Sequence, residues 1–214
     1  MLKCLITRPN HDRVTSYLCS WSKHIIENND FNEIKFLDLY GEEACKEKVE
    51  SYLKKQNPRI VLFNGHGSST EICGFKNETL IMAGKNEELL KGKIIYSLSC
   101  SSAKILGEKA VQNGADAFIG YKNPFILCSD SEREATPLKD NLAGSFLNPS
   151  NKVSIELLKG KSALEASEKS KEEFKKEIRK YTSSGGFEGA ERIAAALVWD
   201  MANQVVLGNS KTTA

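Results

Sequence analysis

The sequence predicts an α/β protein built on a mostly parallel sheet. Three observations carry this. Short apolar, β-branched runs recur along the chain and alternate with stretches of helical periodicity. Two runs, Ile60-Val61-Leu62-Phe63 and Ile94-Ile95-Tyr96-Ser97-Leu98, are nearly continuous in apolar residues, as strands covered on both faces are. Both stop on reactive side chains: the first leads into Asn64-Gly65-His66-Gly67, the second into Ser99-Cys100.

In chain order, Leu2 to Thr7 reads as a strand and Asp12 to Glu27 as a helix. The apolar side of that helix is Val14, Tyr17, Leu18, Trp21, Ile25 and Ile26. Ile34 to Leu39 is a second strand, and Glu42 to Leu53 a charged amphipathic helix. Ile60 to Phe63 is the third strand. Ser68 to Lys85 is polar and irregular, with a short hairpin around Lys76-Asn77-Glu78. Glu87 to Leu90 reads as a short helix ended by Gly92, and Ile94 to Leu98 as the fourth strand. Ala103 to Asn113 is a helix closed by Gly114, and Ala117 to Tyr121 the fifth strand. From Lys122 to Pro137 the periodicity breaks into a long polar loop, a length that is uncommon without a function. Helices follow at Leu138 to Leu147, Val153 to Leu158, Ala163 to Tyr181 and Ala190 to Asn203. Ser183-Ser184-Gly185-Gly186 punctuates the last two. Gln204 to Leu207 closes the pattern as a final strand.

The chain has 214 residues, 40% hydrophobic and 27% charged, which fits one domain over residues 1–209 with a frayed tail at 210–214. Thirty basic residues nearly balance 28 acidic ones, so no field for a polyanion arises and nucleic acid is not an expected partner. No run approaches membrane-spanning length and the start is too short for a signal core, so a cytoplasmic protein without a membrane partner is expected. The six cysteines are scattered and form no C-x-x-C, which argues for free thiols and against a structural zinc centre. Cys4 and Cys19 fall on a strand and a helix and read as core residues. No motif calls for a cofactor.

Histidine and cysteine at neighbouring strand ends are the minimum apparatus for thiolate catalysis. His66 can act as the base and Cys100 as the nucleophile. Gly67 lets a carbonyl approach the main chain, so the N–H groups of Gly67 and Cys100 are natural oxyanion donors. A helix starting just past Cys100 would lower the thiol pKa through its dipole. Either residue alone reads more readily as structure; the pair at neighbouring strand ends points to chemistry. Ser99, Ser101 and Ser102 sit in no G-x-S-x-G elbow and suit capping or pocket lining. Gly65-His66-Gly67 lacks the third glycine of a dinucleotide fingerprint. Gly160-Lys161-Ser162 lacks the upstream glycine and strand of a phosphate loop and reads as a helix-to-helix turn.

The strand ending in His66-Gly67 followed by one ending in Cys100 resembles the layout of caspase-like cysteine peptidases, the group of caspases, gingipains, clostripain, legumain and separase. Histidine and cysteine lie 34 residues apart, compact as in gingipains and bacterial CHAT domains. Three further stretches look CHAT-like: Ser99 to Ala103 with Gly114 to Tyr121, Phe146 to Ala166, and Asn203 to Asn209, where the usual Gly-Asp-Pro is Gly208-Asn209-Ser210. The resemblance spans about Arg59 to Asn209. It implies a three-layer caspase-like fold with a central sheet of about six strands. It also implies peptide-bond hydrolysis through a thioester after a specific P1 residue, with His66 and Cys100 as the dyad and a protein or peptide as substrate.

In such folds the S1 pocket draws on the segments matching Arg8 to Arg13, Leu98 and Ser99, and Tyr121 to Arg133. Asp12, Ser99 and Asp130 are then the candidate pocket residues, and the resemblance leans toward P1 Arg or Lys. By the same analogy the chain is a regulated effector in a bacterial defence or signalling cascade, switched by a separate protein partner, with Lys122, Arg133 or Lys139 as possible processing sites. A non-catalytic caspase-like module that binds partners, and a thiol amidohydrolase of small molecules, are the competing readings.

Overall fold

The computed structural model describes residues 1–27, 31–183 and 188–214. The elements are β1 (Leu2–Arg8), α1 (Arg13–Glu27), β2 (Ile34–Tyr40), α2 (Lys46–Lys55), β3 (Ile60–Asn64), β4 (Glu71–Cys73), β5 (Thr79–Met82), β6 (Ile94–Leu98), α3 (Leu106–Gln112), β7 (Ala117–Tyr121), α4 (Asn141–Leu158), α5 (Ala163–Thr182), α6 (Ala190–Asn203) and β8 (Gln204–Gly208). Six strands form the central sheet in the order β2-β1-β3-β6-β7-β8. All neighbours run parallel except β8, which is antiparallel to β7. β4 and β5 form a separate hairpin, with its turn at the expected Lys76-Asn77-Glu78.

The two faces of the sheet follow from strand alternation. Ile60, Leu62, Ile94, Tyr96, Leu98, Ile119 and Tyr121 point to one side, where they pack against Tyr17, Leu18, Trp21 and Ile25 of α1 and against α4 and α5. Val61, Phe63, Ile95 and Phe118 point to the other, against α2, α3 and the hairpin. This is the expected three-layer arrangement. Every residue of β3, β6 and β7 is buried, which explains the unbroken apolar runs.

Register places the site. Asn64, the last residue of β3, pairs with Leu98, the last residue of β6. His66 and Cys100 each lie two residues further on, so they leave the sheet at the same carboxyl edge.

Four local expectations are corrected. The helix expected from Glu42 is a 3₁₀ turn at Gly41–Glu43 followed by α2. The helix expected from Ala103 starts at Leu106, because residues 101–105 form turns that begin with Ser101 at φ +56°. The two helices expected around Pro149 are one continuous α4. A mid-helix proline costs about 3 kcal/mol. Here it is outweighed by burial of Ala143, Phe146, Leu147, Val153 and Leu157. The tail, expected without contacts, carries hydrogen bonds: Thr212 accepts from Ala163 N–H, Ser210 accepts from Leu164 N–H, and Arg59 donates to Thr212 and Thr213. The expected punctuation at 184–186 lies outside the described residues. No helix among the described residues is long and apolar enough to cross a membrane.

The long loop after β7 is pinned to α1. Asp140 is 2% exposed and accepts from Tyr17 Oη at 2.7 Å, Asp130 N–H at 2.8 Å and Ala143 N–H at 2.9 Å. Trp21 Nε1 donates to the Pro137 carbonyl. The Gly160-Lys161-Ser162 segment is the α4–α5 turn, where Ser162 and Glu165 form a capping box.

Candidate active site

His66 is set by the segment between β3 and the hairpin. Gly65 has φ +148°, and a Cβ there would lie 2.5 Å from the Cys73 carbonyl oxygen. Only glycine lets the strand end turn over the hairpin that closely. Cys73 N–H then donates to the His66 carbonyl and Ser68 N–H to the Glu71 carbonyl, which locks the histidine backbone onto β4. Gly67 is equally crowded, its missing Cβ falling 2.9 Å from both the Glu71 carbonyl oxygen and Ser99 Cβ.

Cys100 sits on the turn after β6. Ser101 N–H donates to the Asn123 carbonyl and Ala103 N–H to the Tyr121 carbonyl, which ties this turn to the end of β7. Its thiol points to the Phe125 carbonyl at 3.9 Å. Among the described residues, no hydrogen bond joins Cys100 to His66, and neither the Gly67 nor the Cys100 N–H donates to a partner. Burial pushes the Cys100 thiol above the ordinary cysteine range, opposed by the Phe125 contact and reinforced by Asp200. The expected lowering by a helix dipole is absent, since α3 starts six residues further on.

The partner of His66 is Asp12, whose Oδ2 lies 2.7 Å from His66 Nε2. Asp12 also caps α1, its Oδ1 accepting from Thr15 N–H at 2.8 Å and from the Thr15 hydroxyl at 2.9 Å. Partial burial works to raise the Asp12 pKa. The Thr15 N–H, His66 and the Thr15 hydroxyl outweigh it and hold the carboxyl below the usual range. Asp12 is therefore a fixed carboxylate, with one oxygen spent on the helix and one on the histidine.

His66 and Cys100 line one pocket of about 250 Å³ with Gly65, Val14, Leu18, Leu98, Ser99, Phe125 and Leu127. The walls are apolar apart from His66, Cys100 and Ser99. Ser99 is 2% exposed and its Oγ has no hydrogen-bond partner among the described residues. Of the three expected pocket residues, the structure brings only Ser99 into the lining. Asp130 instead caps a 3₁₀ turn through Glu132 N–H, and Asp12 is held by His66 and Thr15. The nearby arginines are also engaged, Arg8 with Asp38 and Arg13 with Glu134. Among the described residues, no acid lines the pocket that would select a basic side chain.

Two features escape the sequence reading. Asp12, expected as a pocket residue, caps α1 and is the partner of His66. Asp200 lies on α6 and is fully buried, its Oδ1 accepting from Ile126 N–H at 2.9 Å and its Oδ2 unpartnered. Burial pushes its carboxyl up to about 8. It braces the strand of loop that carries Phe125, and its place in an amphipathic helix gave no signal.

The sequence matches no family model and no curated protein. The fold does have solved neighbours. One is the complex of Porphyromonas gingivalis RgpB pro- and mature domains, similar at a TM-score of 0.55 and 11% identity over 98% of this chain. This chain spans about half (47%) of the neighbour's length. At that identity the likeness is one of fold: the mostly parallel six-stranded sheet between two helical layers is the caspase-like architecture seen in a gingipain.

Proposed function

We propose that the chain is a cysteine endopeptidase with Cys100 as nucleophile and His66 as general base. The observation that carries this is the meeting of both residues in one pocket at level strand ends, with Asp12 holding His66 Nε2. Because Nε2 faces the carboxylate, Nδ1 is the nitrogen left to take the thiol proton. Sγ then attacks the scissile carbonyl carbon, and the oxyanion is received by the N–H groups of Gly67 and Cys100. Collapse breaks the C–N bond, and His66 returns its proton to the leaving amine. Water, deprotonated by the same histidine, releases the acyl group from the thioester. The Asp12 carboxylate favours the imidazolium formed in between.

The pocket supports one substrate class above others. Val14, Leu18, Leu98, Phe125 and Leu127 surround it, and its 250 Å³ is below the range usual for a drug-sized ligand, so it suits one uncharged apolar P1 side chain. A basic or acidic P1 group would be desolvated there without a counter-charge. This reading differs from the Arg or Lys preference that the resemblance implies. Cys100 and His66 are not hydrogen-bonded to each other, which suits a site that tightens only on binding substrate or an activating partner. A role in a bacterial defence or signalling cascade rests on the resemblance alone.

The test is cleavage of a mixed peptide library, with Cys100→Ala as control and P1 read by mass spectrometry. Cuts after Leu, Met or Phe by the parent protein alone are expected. Absence of cuts, together with no labelling of Cys100 by a peptidyl electrophile carrying apolar P1, would overturn the assignment.

A further inference from the structure

Beside the dyad lies a second constellation, which shares His66 and Asp12 with the proposed mechanism and adds His11, a residue that mechanism does not use. His11, Asp12 and His66 each offer one ligand atom, and these atoms all lie within 4.8 Å of one another. His66 Nε2 is 2.7 Å from Asp12 Oδ2, and His11 Nε2 is 3.5 Å from the same oxygen. A tetrahedral zinc ion with bonds of about 2.0–2.1 Å holds neighbouring ligand atoms about 3.3 Å apart. The His11–Asp12 spacing already meets that, and the His66–Asp12 pair needs to open by only about 0.6 Å.

An independent observation points to a ligand here. The His11 side chain is only 9% exposed, and both of its ring nitrogens are buried without a hydrogen-bond partner among the described residues. A buried imidazole normally satisfies at least one nitrogen, and leaving it bare costs on the order of 1–3 kcal/mol. The ring is held in place by edge contacts to Phe75 at 5.5 Å and to His66 at 6.1 Å. Asp12 is oriented by Thr15, as carboxylate ligands usually are by a neighbouring donor. Two imidazoles and one carboxylate, with one position left for water, is a donor set that zinc favours.

We propose that His11, Asp12 and His66 bind a divalent transition-metal ion, zinc above all, and that its binding switches the thiol site off. Binding of the metal needs no peptidase; its inhibitory consequence rests on the function proposed above. The ion takes the Nε2 lone pair of His66. If the ring was neutral with its proton on Nε2, that proton moves to Nδ1. If the ring was an imidazolium, one proton goes to solvent. Either way Nδ1 ends protonated, and the nitrogen that should accept the Cys100 proton becomes a donor. The Asp12 carboxylate is lost to His66 at the same time.

Zinc alone is the probe, titrated calorimetrically into the Cys100→Ala protein so that the reactive thiol cannot compete. One ion per chain is expected, with affinity at least about tenfold weaker in His11→Phe, which keeps the aromatic contact to Phe75, and in Asp12→Asn. His24→Gln, elsewhere on α1, should bind as the parent does. Cobalt in place of zinc should show no thiolate charge-transfer absorption. In the protein with Cys100 intact, zinc should inhibit peptide cleavage with the same midpoint as binding, and a chelator should restore each variant to its own metal-free rate. No binding by Cys100→Ala, equal binding by His11→Phe, or a thiolate signature would overturn the site. Binding at the site with neither peptide cleavage nor electrophile labelling of Cys100 by the metal-free protein would overturn the peptidase reading and leave the metal site standing.

Discussion

Asp200→Asn tests how the buried carboxyl that holds the loop at Ile126 responds to pH. In the folded chain the Asp200 carboxyl is pushed by burial from an ordinary 3.8 up to about 8, with only Ile126 N–H stabilising the charged form. No ion pair reaches it among the described residues, and the groups that feel its charge (Cys100, Cys128, Tyr96 and Tyr121) are neutral near pH 7. Between those two values the folded state holds a proton that the unfolded chain has released. Stability must then fall as pH rises through this window, by up to 1.36 kcal/mol per pH unit. The full gap sets a ceiling of roughly 6 kcal/mol, and even a third of it, about 2 kcal/mol, is easily measured. The amide keeps the acceptor for Ile126 and removes the titration. Urea unfolding of both proteins at pH 5, 6, 7 and 8 should give Asp200→Asn an advantage of at most about 1.6 kcal/mol at pH 5 that grows steadily toward pH 8. A pH-independent difference, or one that grows toward acid, would refute the reasoning.

Three further outcomes follow from the site geometry. Asp12→Asn keeps the acceptor that caps α1 but removes the charge on His66, so kcat should drop roughly 10²–10⁴-fold with stability changed by less than about 1 kcal/mol, read by peptide cleavage and urea unfolding. Gly67→Ala forces a Cβ to 2.9 Å from the Glu71 carbonyl oxygen and Ser99 Cβ, displacing the oxyanion donor and costing roughly 10²–10³-fold in kcat. Val14→Asp places a carboxylate on the half-buried pocket wall, and a peptide-library screen should then show P1 preference moving toward Lys and Arg by at least about tenfold.

Much of this arrangement was legible because it rests on periodicity. The apolar runs of β3 and β6 announce strands buried on both faces, and their shared register brings His66 and Cys100 to one edge. What escaped depends on contacts between segments far apart in sequence. Asp12 and His66 are separated by 54 positions, and nothing local in either marks the other. Pro149 reads as a helix break in isolation, and only the burial around it keeps α4 intact. The tail reads as frayed because its contacts, to Arg59 and to the start of α5, come from the rest of the fold. The lining of the pocket was hidden for the same reason. Acids occur in the right loops, but Asp130 is spent on a turn and Asp12 on the histidine, leaving walls from Val14, Leu18, Phe125 and Leu127.

The state of Cys100 decides which kind of thiol chemistry this is. A preformed thiolate–imidazolium pair needs the thiol pKa pulled well below neutral. Here burial raises it, and no hydrogen bond from His66 opposes that. On the proposed mechanism the resting nucleophile is therefore a neutral thiol, and His66 takes the proton as Sγ attacks. Iodoacetamide, which needs the thiolate but not the histidine, separates the two cases. Its rate on Cys100, followed by mass spectrometry of the modified peptide, should climb continuously from pH 6 past pH 9, about tenfold per unit below the pKa. His66→Ala should change that rate little while abolishing peptide cleavage. A rate already on a plateau at pH 6–8, and lost in His66→Ala, would establish the ion pair and sink the general-base mechanism.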